Sequence, residues 1–203
     1  MGSRERILGR VRAALADVGE APDEFEVPRA YEVTRDFDRV ETLVDRLVDY
    51  RAQVRVVPAE SLAGEVAGSV RGRRVAAPAG VPDDWLAGAD VVRDEPELSS
   101  YDLDAVDIVV TGCAVAIAET GTIILNAGAD QGRRALTLVP DHHVCVIHDD
   151  QIVHTVAEAL TRLTPARPLT WISGPSATSD IELDRVEGVH GPRTLEVLIT
   201  AGM

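Results

Sequence analysis

A single carboxylate stands in an otherwise apolar, small-residue run, Thr111-Gly-Cys-Ala-Val-Ala-Ile-Ala-Glu-Thr-Gly-Thr-Ile-Ile-Leu-Asn126. An ionised carboxylate is costly to bury without partners, so Glu119 is paired, exposed at a turn, or placed to act. Residues 109–110 before it and 123–125 after it read as buried strands, which makes Glu119-Thr120-Gly121-Thr122 the turn that joins them. A carboxylate, two hydroxyls and a conformationally free glycine suit a small-molecule site, with Glu119 as base or nucleophile. They equally suit a satisfied structural turn.

Three further clusters carry chemistry. Gly128-Ala-Asp-Gln-Gly-Arg-Arg134 follows the second of those strands. A glycine-rich turn can offer backbone N–H groups to an anion, with Arg133 and Arg134 as guanidinium forks; alternatively it is a surface hairpin carrying solvated charge. Pro140-Asp-His-His-Val-Cys-Val-Ile-His148 invites a metal site. Strand alternation, however, sends His142 and His143 to opposite faces, so they do not converge on one ion, and no metal is expected. Ser173-Gly-Pro-Ser-Ala-Thr-Ser-Asp180 leaves a strand, and such exits bind ligands in α/β sheets, beyond the carboxyl ends of the strands; Gly174, Ser176 and Thr178 are its binding candidates. Gly188-Val-His-Gly-Pro192 frames His190, the best general acid or base among the five histidines. No GxSxG elbow, GxGxxG or Walker spacing occurs. Cys113 has no base nearby in sequence to activate it.

The elements that must position these residues alternate. Residues 3–18 show helical periodicity and residues 20–34 are an acidic, Pro-containing tether, so residues 1–34 form an N-terminal arm and linker ahead of an α/β domain over 35–203. Asp36 caps a second helix with Val40, Leu43, Val44, Leu47 and Val48 along one stripe. Strands are expected at 53–57, 74–77, 90–93, 105–111, 123–125, 135–139, 144–147, 169–172 and 195–199, and helices at 59–70, 82–86 and 152–163. This pattern predicts a three-layer α/β fold with a mainly parallel sheet. The crowding between 106 and 148 predicts antiparallel or mixed pairing there.

Composition narrows the function. The 203 residues are 45% hydrophobic and 27% charged with net charge -14, which gives no basic field for nucleic acid and no attraction to an anionic membrane. All 20 basic residues are arginine, which excludes a lysine Schiff base or P-loop lysine. No apolar run reaches the roughly 18 residues of a membrane span, and the N-terminus lacks a signal-like apolar region. Cys113 and Cys145, isolated among apolar residues, read as reduced buried thiols of a cytoplasmic protein. Without a CxxC pattern the chain holds no cysteine-ligated iron–sulfur cluster.

Ala116-Ile-Ala-Glu-Thr-Gly-Thr122, Leu138-Val-Pro-Asp-His-His-Val-Cys-Val146, Ser173-Gly-Pro-Ser-Ala-Thr-Ser-Asp-Ile-Glu182 and Gly188-Val-His-Gly-Pro192 together resemble the lactate utilization protein C family, the LUD-domain proteins. Members usually carry Arg or Lys where this chain has Ala177. The resemblance implies a fold like that of the sugar-phosphate isomerases and CoA transferases (NagB/RpiA/CoA transferase-like). It implies an accessory or substrate-handling subunit in the oxidation of L-lactate to pyruvate, beside two iron–sulfur partner subunits, with room for a homo-oligomer. Glu119 and His190 are then the catalytic candidates. Thr120, Gly121, Thr122, Arg133, Arg134, Gly174, Ser176 and Thr178 contact a small anionic substrate. The alternative is a stand-alone enzyme on a small carboxylic acid, sugar phosphate or acyl-CoA that uses Glu119.

Overall fold

The computed structural model describes residues 2–17, 35–178, 186–187 and 191–201. The chain divides into two compact units, residues 1–31 and 32–203. In the first, helix α1 (Ser3–Ala14) is started by a Gly2 N–H that donates to Glu5 Oε2 at 2.9 Å. No residue of this helix is buried, and its apolar positions Ile7, Val11 and Leu15 stand about half exposed.

The second unit opens with α2 (Arg39–Asp49). Its cap is Asp38 rather than Asp36: Asp38 Oδ1 accepts the Val40 and Glu41 N–H groups, both at 2.9 Å. Of the expected stripe, Leu43 and Leu47 are fully buried and Val40 and Val44 pack partly against the core, whereas Val48 is exposed. Each such leucine contributes roughly 2 kcal/mol of apolar burial.

Six strands form a wholly parallel sheet: β1 (Gln53–Pro58), β2 (Arg74–Ala77), β3 (Asp90–Arg93), β4 (Ile108–Thr111), β7 (His142–Ile147) and β12 (Thr194–Ala201), in the order β1-β12-β7-β4-β2-β3. β4 is buried at every position, as a strand covered on both faces must be. α3 (Leu62–Val70) and the 3-10 turn Asp83–Leu86 cover one face through Val66, Val70 and Trp85 against Val144, Val146 and Leu198.

The opposite face receives α2 and a second sheet of β5 (Val115–Ile117), β6 (Thr122–Leu125), β8 (Ile152–Val153) and β9 (Thr170–Ile172), ordered β8-β5-β6-β9. Here lies the antiparallel pairing expected from the crowded middle of the chain, because β6 is antiparallel to both β5 and β9. α5 (Val156–Arg162), shorter than the expected 152–163 because β8 takes its start, packs on the outer face of that sheet through Ala159. Three layers therefore become four where the second sheet stands. A short ladder of β10 (Ala177–Thr178) and β11 (Val186–Glu187) completes the strands, and α4 (Ser100–Asp104) precedes β4.

Two sequence expectations change. Glu119 lies in a turn that joins β5 to β6, not β4 to β6. Val115-Ala-Ile117 form a strand of their own, β5, fully buried inside the second sheet: Ala116 faces the parallel sheet, and Val115 and Ile117 face α5. Residues 135–139 form no strand; Arg134–Thr137 is a 3-10 turn that buries Leu136.

Candidate functional site

A cleft of about 280 Å³ opens between the start of β7 and β12 and the end of β9. Its walls are the 3-10 turn (Arg134, Thr137, Leu138), the inward face of the parallel sheet (His143, Leu195), the edge strand β9, and the loop Ser173–Ala177 facing Gly191 and Pro192. It lies beside the amino ends of β7 and β12, not beyond the carboxyl ends of the parallel strands. The reason is topological: β9 belongs to the second sheet, so its exit loop returns to the other end of the first.

The Glu119-Thr120-Gly121-Thr122 turn reaches this cleft through hydroxyls. Thr120 Oγ1 donates to Thr122 Oγ1 at 2.8 Å, and Thr122 Oγ1 lies 2.9 Å from Ser173 Oγ on the cleft wall. With Thr120 donating, the Thr122 proton is available to Ser173, which leaves the Ser173 proton for a ligand.

Two glycines fix this arrangement. Gly121 (φ +62°) and Gly174 (φ +90°) both adopt the left-handed conformation and both press on the end of α2. A Cβ on Gly121 would stand 2.6 Å from Arg46 Cβ, and one on Gly174 would stand 2.6 Å from Tyr50 Cβ. Helix α2 thus holds the hairpin tip and the cleft loop together.

Glu119 itself does not line the cleft. Its side chain is 42% exposed, its Oε1 lies 3.7 Å from Arg35 Nε, and its backbone N–H donates to the His154 carbonyl. The arginines also part company. Arg133 donates from Nε and Nη2 to the two carboxylate oxygens of Asp94 at 2.8 and 3.0 Å, and from Nη2 to the Leu98 carbonyl. The half-buried Asp94 carboxyl is lowered from its ordinary pKa: burial opposes this, and the Arg133 and Leu98 hydrogen bonds with the Arg133 charge outweigh it. Arg133 is therefore a structural clamp, not an anion fork. Arg134 lines the cleft, and among the described residues its guanidinium has no carboxylate partner. The glycine-rich turn before it is closed to an anion. Gln131 Oε1 accepts the Asn126 N–H at 2.7 Å, and the Gln131 and Gly132 N–H groups donate to the Gly128 carbonyl. Of the remaining candidates, Gly174 and Ser176 line the cleft, and Thr178 lies in β10. His190 lies outside the described residues.

Not legible beforehand is His143, the inner wall of the cleft. It is 1% exposed, and its Nε2 lies 2.8 Å from Thr111 Oγ1. The available signal was alternation: His143 shares the inward face of β7 with Cys145 and Ile147, so it is the histidine facing the second sheet. Burial, then the neighbouring His142, lowers its pKa to about 3, so the ring is neutral. His142, as expected, takes the opposite face, with Nε2 3.3 Å from Glu196 Oε2. Among the described residues no three His, Cys, Asp or Glu side chains form a metal-binding group. Burial raises both thiols, Cys145 to about 12, so neither is a thiolate nucleophile.

The His143 environment makes the fold acid-sensitive in a defined window. The unfolded imidazole binds a proton near its ordinary 6.5 while the folded one resists until about 3. Stability is therefore intact above pH 6.5 and falls by up to about 1.4 kcal/mol per pH unit below it. His143→Gln should flatten urea-denaturation midpoints between pH 6.5 and 5; an unchanged slope would contradict a buried neutral ring.

Residues 81–200 match the LUD domain family. The chain is 55% identical over 178 residues to a lactate utilization protein C of Deinococcus radiodurans, covering 83% of this chain and 84% of that one. It is 30% identical to a lactate utilization protein C of Geobacillus kaustophilus over 66% of this chain and 68% of that one. A crystal structure of a DUF162 family protein from Deinococcus radiodurans superposes with a TM-score of 0.70 at 46% identity, covering 82% of this chain and all of that chain. Sequence, matched segment and superposed fold agree, and the chain belongs to the lactate utilization protein C family of LUD-domain proteins.

Proposed function

We propose that this chain is the substrate-handling subunit of a system that oxidises L-lactate to pyruvate, beside two iron–sulfur proteins that carry the electrons. Lactate gives up two electrons and two protons. The electrons pass to the partners' clusters, and this chain supplies position rather than a redox group. The single observation that carries the substrate class is the cleft itself. Arg134, whose guanidinium has no carboxylate partner among the described residues, shares a volume of about 280 Å³ with the hydroxyl-bearing Ser173 and Ser176. A 2-hydroxy acid presents the matching pair, a carboxylate for the fork and an oxygen on the adjacent carbon for a hydroxyl.

The names of the relatives, lactate utilization protein C, support the pathway. In this assignment Arg134 grips the carboxylate, Ser173, Gly174 and Ser176 surround the C2 oxygen, and Thr120, Gly121 and Thr122 position Ser173. Proton transfer falls to Glu119 or His190. A ring held at about 3 is too weak a base at neutral pH, so His143 serves as a wall. The same proposal includes the 1–34 arm as a unit apart from the 35–203 domain, a sugar-phosphate isomerase and CoA transferase type of fold, and a cytoplasmic place of action. No helix among the described residues is long and apolar enough to cross a membrane.

Reconstitution with the two iron–sulfur proteins tests the assignment. Lactate-dependent reduction of an acceptor dye should require all three chains, and this chain alone should bind pyruvate or L-lactate saturably. Full activity without it would remove it from the reaction.

A further inference from the structure

We propose, on the reading of the cleft as a 2-hydroxy acid site, that His143 makes the cleft select acids with an oxygen on C2 by donating its Nδ1–H to that oxygen. The ring is 1% exposed, yet it lines the cleft. Thr111 Oγ1, 2.8 Å away, occupies Nε2. Nδ1 has no hydrogen-bond partner among the described residues, and it is not sealed in. Among those residues the only enclosed side-chain nitrogen or oxygen left unpartnered is His142 Nε2, on the opposite face of β7, whose 3.3 Å approach to Glu196 Oε2 lacks hydrogen-bond geometry. The small exposed part of His143 therefore includes Nδ1, and the space it opens onto is the cleft.

Thr111 decides which ring nitrogen carries the proton. Its hydroxyl has one proton and two acceptors in reach, His143 Nε2 at 2.8 Å and Cys145 Sγ at 3.9 Å. Sulfur is a weak acceptor and an imidazole nitrogen a strong one, so the proton goes to Nε2. The Cys145 thiol turns its own proton to the Gly112 carbonyl at 3.8 Å. The neutral ring then keeps its proton on Nδ1. Burial holds the ring neutral, with its pKa at about 3, so at neutral pH this position donates and does not charge.

Such a donor discriminates between acids of one size. Arg134 takes the carboxylate, and the weaker, uncharged donor is left for the C2 oxygen of pyruvate or L-lactate. Propionate has the same carbon chain and the same carboxylate but no C2 oxygen. It leaves Nδ1–H unpaired in an otherwise buried wall, which costs affinity.

The test is calorimetry of the full chain with pyruvate, L-lactate and propionate, on wild type, His143→Gln and His143→Asn. Wild type should bind pyruvate about tenfold or more tighter than propionate. Glutamine reaches Thr111 from the place of Nε2 but puts no donor at Nδ1. His143→Gln should therefore bind pyruvate and propionate about equally, through lost pyruvate affinity. Asparagine sets an amide nitrogen where Nδ1 stands, so His143→Asn should keep the preference. A merely structural His143 would weaken all three acids together and leave their ratios unchanged. Nitrogen-15 spectra of the wild-type ring, without ligand and at neutral pH, should show the Nδ1-protonated tautomer. The opposite tautomer, or an unchanged pyruvate-to-propionate ratio in His143→Gln, overturns the role of His143 and leaves the lactate reading standing. Failure of wild type to bind either pyruvate or L-lactate overturns that reading and the role of His143 with it.

Discussion

Arg134→Ala should weaken pyruvate and L-lactate binding by about ten- to a hundredfold while leaving the melting temperature within a degree or two of wild type. A charge-assisted hydrogen-bond pair to a carboxylate is worth roughly 1.5–3 kcal/mol, which sets that range. The side chain is exposed and has no carboxylate partner among the described residues, so its loss strands no buried charge. Arg133→Ala should do the reverse. It leaves Asp94, 9% exposed, without its bidentate partner and so should lower stability by about 2 kcal/mol. Ligand affinity should change little. Calorimetry with both acids and a thermal melt of each variant give the comparison. Equal effects of the two substitutions on affinity would remove Arg134 from the site.

The second large effect is expected at Gly174. Alanine there meets two costs at once: a left-handed backbone at φ +90° and a β-carbon 2.6 Å from Tyr50 Cβ and 3.0 Å from the Tyr50 carbonyl oxygen. The backbone oxygen belongs to the end of α2 and cannot rotate away as a side-chain tip would. Gly174→Ala should therefore destabilise by about 3 kcal/mol, or roughly 6–12 °C in a domain of this size. It should also displace Ser173 and Ser176 and reduce binding in the protein that remains folded. Ser173→Ala is the companion variant, since it removes one hydroxyl without touching the backbone. It should cost affinity and almost no stability. If Gly174→Ala melts like wild type, the loop is not seated on α2 as described.

Much of this arrangement was legible in the sequence, and the boundary between what was and what was not has a physical cause. β2 and β3 appear over 74–77 and 90–93 because short β-rich runs between turn residues have few alternative fates. The hairpin around Gly121 was visible through its glycine and flanking apolar residues, but β5 was not, because three residues, Val115-Ala-Ile117, are too few to show strand alternation. Arg133 and Arg134 are neighbours of one type, and sequence alone cannot separate them. The 3-10 turn starting at Arg134 sends one to Asp94 and the other to the cleft. The location of the cleft was likewise hidden. It depends on β9 joining a different sheet from β7 and β12, which is a pairing between distant segments and leaves no local mark.

The place of β12 in the larger sheet also bears on how the protein is made. β1 pairs with no other strand of that sheet, and β12 separates it from β7. During translation β1 leaves the ribosome long before the strand that will join it to the rest. Until then it and the inner edge of β7 offer unsatisfied ladders to any neighbour. Closure is a late event between residues far apart in sequence, and such events are slow and exposed to aggregation. Chaperone demand during synthesis should therefore be greater for this chain than the modest size of its folded domain suggests.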